Sequence, residues 1–362
     1  MLALRPLFCG VACVALASIA LPSLSSAQQV RTLRPSATEL DVEFSSIDGI
    51  RELRDGRVLI VVARDRVVQL ADFVSNTVEQ VGRTGSGPGE YRAPIGVFGA
   101  PGDSSIVFDG GQSRLLFVDP EGRLGQSQVV TGVGASSGMI SRFVPRQGDA
   151  RGHLFATESA IRITAQGESL ADSVPINRWE RHGTAVRPVG YVRVRSLEDR
   201  GGALGGPSAI PFVVGDQWAV ALDGRVAIVR WDTYRVELVD PNGRRTTGPP
   251  VAVEPIRVTP AIRAEWRAQQ PSTVPEPARW PEYLPPFPPL PARFAPSGAL
   301  WVRRHVPAGA LPLYDVFDEA ARRVYQVRLD APGEVVGFGR NHVFIARTDE
   351  DGLRYLRRAE IP

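Results

Sequence analysis

One unit returns six times along the chain. It is a turn with Gly or Asp, a short apolar strand, a polar turn, and a second apolar strand often closed by Asp-x-x-Gly-Arg. It reads Asp55-Gly56-RVLIVVA-RDR-VVQLAD, then SIVFD-GGQS-RLLFVD-PEGR after Ser104, then Gly152-HLFAT-ESA-IRIT. RVAIVR-WDTY-RVELVD-PNGR follows Gly224, ALWVRR and LYDVFDEAARR follow Ser297, and HVFIART-DEDG-LRYLRRAEI follows Gly339. VDPEGR (118–123) and VDPNGR (239–244) are the closest pair. Successive copies start 48, 48, 72, 73 and 42 residues apart, at Gly56, Ser104, Gly152, Gly224, Ser297 and Gly339. Repeats of 40–50 residues built from four short strands are propeller blades. The spacing predicts an all-β, six-bladed β-propeller over residues 28–362, with two long gaps that each hold one blade plus an insertion. The inner strands are expected in SSIDGIREL, PIGVFG, GMISRFV, DQWAVAL, LPARFA and EVVGFG.

The last unit has room for only three strands before Pro362. A ring must close or leave a sheet edge open, so part of residues 37–47 (ATELDVEFSSI) is expected to supply the missing outer strand.

Residues 81–97, VGRTGSGPGEYRAPIGV, carry glycines at 82, 85, 87 and 89. A phosphate loop needs a lysine after its last glycine, and this chain has no lysine; its 42 basic residues are all arginine. A dinucleotide fingerprint needs a third glycine where Glu90 stands, and must open a helix, which Pro94 forbids. The loop reads instead as the crossing from the outer strand of one blade, within residues 76–81, to the inner strand of the next. Gly85, Gly87 and Gly89 allow close backbone approach, Pro88-Gly89 makes a tight turn, Tyr91 wedges between blades, and Pro94 opens the inner strand.

Residues 1–27 begin with Arg5 ahead of an apolar run from Leu7 to Leu21 and end on Ser25 and Ala27, the pattern of an export signal cleaved after Ala27. Both cysteines, Cys9 and Cys13, fall inside it, so the remainder has no disulfide, cysteine metal site or cysteine nucleophile. The expectation is an exported chain, periplasmic or secreted, with no membrane span after cleavage and monomeric. A formal charge of +3, with the arginines dispersed among 39 acids, argues against nucleic acid as a partner.

GRTGSGPGEYRAP followed by SIVFD-GGQSRLLFVDPEGR resembles the six-bladed β-propellers related to NHL-repeat (TolB-like) proteins. Their blades carry a Gly-x-Gly-Pro-Gly-Glu-Phe-x-x-Pro lead, then an Asp, an Arg and an Asp-x-x-Gly. Here Tyr91 stands for the Phe, Asp109 and Arg114 match, and Asp119 with Gly122 closes the unit. Residues 282–302 (EYLPPFPPLPARFAPSGALWV) also resemble exported bacterial members. The resemblance implies the fold; its activities range over binders, scaffolds, lyases and lactonases.

The insertions, about 196–210 and 254–292, hold what is distinctive. The first, SLEDRGGALGGPSA, reads as a polar loop. In the second, Thr259 as N-cap, Pro260 at the first position and Pro271 as stop frame a short helix, TPAIRAEWRAQQ. Nine prolines then interleave with Trp280, Tyr283, Leu284 and Phe287. The stretch reads either as a polyproline ligand for a partner's groove or as a stiff cover on one mouth of the ring. As a cover, Trp266, Trp280, Tyr283 and Phe287 would shape a binding face and Arg263 and Arg267 would supply polar recognition.

Signals for catalysis are sparse. No Gly-x-Ser-x-Gly elbow exists, and His153, His182, His305 and His342 show no metal-ligand spacing. Few acids sit near the starts of the inner strands beyond Asp48, Asp216 and Glu334. The reading is therefore a binding or scaffolding module for a protein or small-molecule ligand, without catalytic residues or a cofactor. The alternative is a propeller lyase or lactonase-like hydrolase with a divalent cation in the central channel.

Overall fold

The computed structural model describes residues 29–33, 38–130, 143–164, 167–195, 210–277, 279–290 and 292–362. The signal-like segment and the loop at 196–209 lie outside them. Among the described residues, six antiparallel sheets follow one another along the chain. From inner to outer strand, blade one runs Gly49–Glu52, Val58–Val62, Val67–Asp72, Thr77–Gln80. Blade two is Pro94–Gly99, Ser105–Asp109, Arg114–Val118, Leu124–Val129, and blade four Gln217–Val220, Val226–Arg230, Arg235–Val239, Arg245–Thr247. The pattern follows burial. Val58–Val62 and Ser105–Asp109 are buried at every position; the first is apolar throughout, as a fully buried strand requires, and the second keeps Ser105 and Asp109 at its ends. The outer strand of blade one, TVEQ, faces water and is mostly polar.

Six buried clusters, each between neighbouring blades, make the ring. Tyr91, Leu116 and Val118 of blade two pack on Leu59, Val61 and Val68 of blade one. Equivalent clusters join blades two to three, three to four, four to five and five to six. The sixth closes the circle, with Leu40, Phe44 and Phe344 against Val58, Ile60 and Val62. The chain is thus a six-bladed β-propeller, with one α-helix among the described residues.

The closing strand is Thr38–Phe44, antiparallel to Arg354–Glu360. With Glu334–Phe338 and His342–Thr348 it completes blade six, within the stretch anticipated from the sequence. A second tie was not anticipated. Val30–Thr32 adds in parallel to Arg323–Arg328, a fifth strand on blade five beyond Ala292–Phe294, Leu300–Arg303 and Leu313–Phe317.

Blade three departs from expectation in two places. IRIT does not continue the blade: Ile161–Thr164 pairs with Gly167–Leu170 in a separate two-stranded hairpin. The third and outer strands are Ser173–Trp179 and Val186–Arg193. The inner strand is Gln147–Gly148, next to Leu154–Thr157, rather than GMISRFV. Residues 138–142 of that stretch lie outside the described residues, and Phe143–Val144 pack as partly buried side chains on the cluster between blades two and three.

The glycine-rich crossing cradles an anion, and the anion is its own Glu90. That carboxylate accepts the N–H groups of Ser86 (2.8 Å) and Gly87 (2.7 Å) and the Arg83 guanidinium (2.8 Å). The Gly87 N–H bond, then Arg83, hold its pKa below the usual carboxylate range. A Cβ on Gly85 would lie 2.1 Å from the Glu90 carboxylate, so the cradle needs glycine there. Gly89, after Pro88, takes φ 70°. Tyr91 is fully buried and its hydroxyl accepts the Val68 N–H of blade one. Asp109 then nails the crossing to blade two. It accepts Arg92 N–H (3.1 Å), Ala93 N–H (2.9 Å), Gly111 N–H (3.1 Å) and Arg114 Nε (3.3 Å). Arg114 reaches back to the carbonyls of Ser86 and Glu90. Pro94 begins the inner strand, where a missing N–H is tolerated.

Candidate functional site

In each blade the inner strand starts at one mouth of the channel. Crossings between blades and the turns from second to third strand therefore all lie at that mouth. The Ile161–Leu170 hairpin and the long insertion after Thr247 share this side, over blades three to five. The long insertion forms a roof. Helix α1 (Pro260–Ala268) begins at Thr259, whose hydroxyl accepts Ile262 N–H, with Pro260 in the first turn. Ile262 is its buried anchor. At the base the chain pairs with itself: Val258 N–H bonds the Glu282 carbonyl and Leu284 N–H the Ile256 carbonyl. The roof is held to blade five by the Gly309 N–H on Glu265 (2.7 Å).

Four rings meet beneath the helix. Trp266 and Trp280 make an edge contact at 5.2 Å and 84°, Phe212 lies 6.1 Å from Trp280, and His305 meets Phe212 edge-on at 5.8 Å. Both indoles stay half-buried. Arg263 is exposed, with its guanidinium 5.3 Å from the Trp280 centroid, a favourable cation–π placement. Phe212 holds a φ of 62°, rare for a bulky side chain. Phe212 was not singled out in the sequence, and His305 entered only as one of four histidines without metal-ligand spacing; their partners across the fold mark them.

The six expected binding residues divide. Arg263, Trp266 and Trp280 come together on the roof. Tyr283 sits at its base, 42% exposed, under Arg257, which also bonds its hydroxyl at 3.2 Å. Phe287 is wholly buried against Tyr234 in the cluster between blades four and five. Arg267 is committed to the carbonyls of Val274 (2.7 Å) and Pro271 (2.8 Å), so it braces the loop. Both therefore do structural work in place of the recognition expected of them.

His305 fastens the proline run through its Nδ1–H to the Pro285 carbonyl (2.8 Å), beside Arg304 on the Pro286 carbonyl (2.8 Å). Burial pushes its pKa from 6.5 down to about 4, while the Pro285 bond works the other way. His305 is thus neutral in the native ring and takes up a proton more readily when unfolded. Its stabilising contribution is full above pH 6.5 and is lost as pH falls toward 4. The expected loss is on the order of 2 kcal/mol, allowing for partial contact with water. Urea unfolding at pH 7 and pH 4.5 checks this: His305→Phe should flatten the difference, and an equal difference in both proteins would refute it.

The acids near the channel do not converge. Asp48 bonds Ala63 N–H, Asp216 pairs with Arg193 and Arg230, and Glu334 faces Arg303 at 3.7 Å. His153 pairs with Asp149 at 2.7 Å and His342 lies 3.6 Å from Glu52. Among the described residues no three His, Cys, Asp or Glu side chains form a group that could hold a metal ion. No helix among them is long and apolar enough to cross a membrane.

No family model matches the chain, and no curated protein matches it. Several solved structures are similar. An exported protein of Bacteroides fragilis is 13% identical with a TM-score of 0.47, covering 92% of this chain and 100% of its own. A gluconolactonase of Xanthomonas campestris is 12% identical, TM-score 0.46, covering 90% and 92%. Virginiamycin B lyase of Staphylococcus aureus is 9% identical, TM-score 0.43, covering 90% and 98%. At these values the likenesses carry no argument about activity, and the propeller assignment rests on strand order and ring closure.

Proposed function

We propose that this chain is an exported binding module of the NHL-related kind, and that it recognises a protein or peptide segment through the roof. The carrying observation is the pair of half-buried indoles, Trp266 and Trp280, presented with Arg263 on a braced platform. Trp and Arg dominate the energetics of protein interfaces, and a pre-ordered surface spares the ordering cost of binding. The export part of the reading is supported by the charged, apolar and small-residue pattern of residues 1–27.

Peptides selected from a random displayed library against the intact protein serve as the probe. Trp280→Ala is expected to weaken the selected peptides at least about tenfold, with Arg263→Ala a smaller loss. Peptides that bind both variants as tightly as the parent would overturn the roof reading. Metal analysis of the purified protein is the complementary test, because a stoichiometric divalent ion would favour the channel-enzyme alternative.

A further inference from the structure

A second feature lies on the wall between blades five and six. Arg293 on the inner strand stands directly across from Trp301 on the second, and Arg303 across from Tyr314 on the third. Residues two apart on one strand share a face, so Trp301 and Arg303 project from blade five on the same side. They line a small recess with Arg293, Tyr314, Glu334 and Val335, and Leu290, 77% exposed, stands at its rim. The floor is buried: Trp301 is 1% and Tyr314 3% exposed. The walls are wet, since Arg293 is exposed and Arg303 and Glu334 keep about a third or more of their side chains in water.

The recess is rich in donors and poor in acceptors. The indole Nε1 of Trp301 is buried with no hydrogen-bond partner among the described residues, an arrangement native proteins rarely leave standing. Tyr314 accepts the Val335 N–H at 2.9 Å, which leaves its own hydroxyl proton to donate. Burial raises its pKa, so it stays a donor. Arg293 gives Nε to the Val335 carbonyl (3.0 Å), leaving the end of its guanidinium to donate elsewhere. Two arginines face one carboxylate, Glu334, so the site carries a net positive charge.

We infer that this recess is a binding site for a single carboxylate group of a small organic acid, held by Arg293 and Arg303 over the Trp301–Tyr314 floor. Carboxylates accept in the plane that guanidinium groups present, and the narrow floor suits one such group rather than a larger ligand. The site meets the insertion only at Leu290, uses none of the residues proposed for the roof surface, and does not depend on that surface having a partner.

The six tryptophans each give one indole N–H signal in a 15N-labelled sample, and Trp301→Phe assigns the relevant one. Sodium acetate is the probe. The Trp301 signal is expected to move in a saturable way, with Kd on the order of 1 mM for so small a ligand, and to ignore acetamide. Arg303→Gln should weaken acetate about tenfold, while Glu334→Gln should tighten it a few-fold by removing the opposing charge. A signal that stays still up to 100-fold excess overturns the site. So does one moved equally by acetamide, or one moved equally by chloride, which would mark an adventitious ion only.

Discussion

A chain lacking residues 28–46 is expected to lose its single cooperative melting transition. Leu33, Leu40 and Phe44 are 0%, 1% and 1% exposed, and burying each contributes roughly 2–3 kcal/mol. Together they approach the whole stability of an ordinary domain, about 5–15 kcal/mol. The deletion also bares the edge of Arg354–Glu360, a template for aggregation. Two smaller changes resolve the effect. Removing only residues 28–33 takes away the parallel strand on blade five and should lower the midpoint while keeping one transition. Phe44→Ala, on the closing strand itself, should cost about 3–5 kcal/mol. An unchanged melting curve for the long deletion would show that the ring does not depend on its N-terminal strand.

Asp109→Ala carries the next largest effect. The residue is 0% exposed and satisfies three backbone N–H groups plus Arg114, itself 8% exposed. Its loss strands a buried guanidinium, a change that typically costs about 3–5 kcal/mol and should lower the melting midpoint by on the order of 5 °C in a chain of this size. Arg114→Met, which removes the charge and keeps the volume, should cost less because Asp109 retains its backbone donors. Chemical denaturation of both variants gives the comparison. Equal losses would mean that the ion pair, rather than the backbone clamp, sets the strength of the crossing.

These two effects also mark what the sequence could reveal. Asp109, Arg114 and Tyr91 act on neighbours fixed by the repeat itself, so their placement follows from the unit. The closing strand was legible for a topological reason: six units with a three-stranded last copy leave one edge to cover. IRIT was misread because period-two alternation marks any strand and says nothing about its partner. Three residues, Val30–Thr32, are too short to stand out from a coil. Phe287 and Trp280 both sit in one proline-rich run, yet one is core and the other half-exposed; only the packing partner Tyr234 separates them. Arg267 resembled Arg263 in the sequence, and its fate was decided by two carbonyls brought round by the turn after the helix. The donors around Trp301 come from three strands of blade five and face Glu334 of blade six, which no local pattern joins.

On the function proposed above, the ring is scaffold and the roof is the recognition surface. The structure allows the two to be separated. Val258 and Glu282 are hydrogen-bonded neighbours, so residues 259–281 can be replaced by a short Gly-Ser turn that leaves Phe287 in place between blades four and five. The decisive measurement is peptide affinity on this variant beside its melting midpoint, with peptides selected against the intact protein. The expected result is a midpoint within a few degrees of the parent and binding weakened beyond detection. A folded variant that keeps the parent's affinity would contradict it.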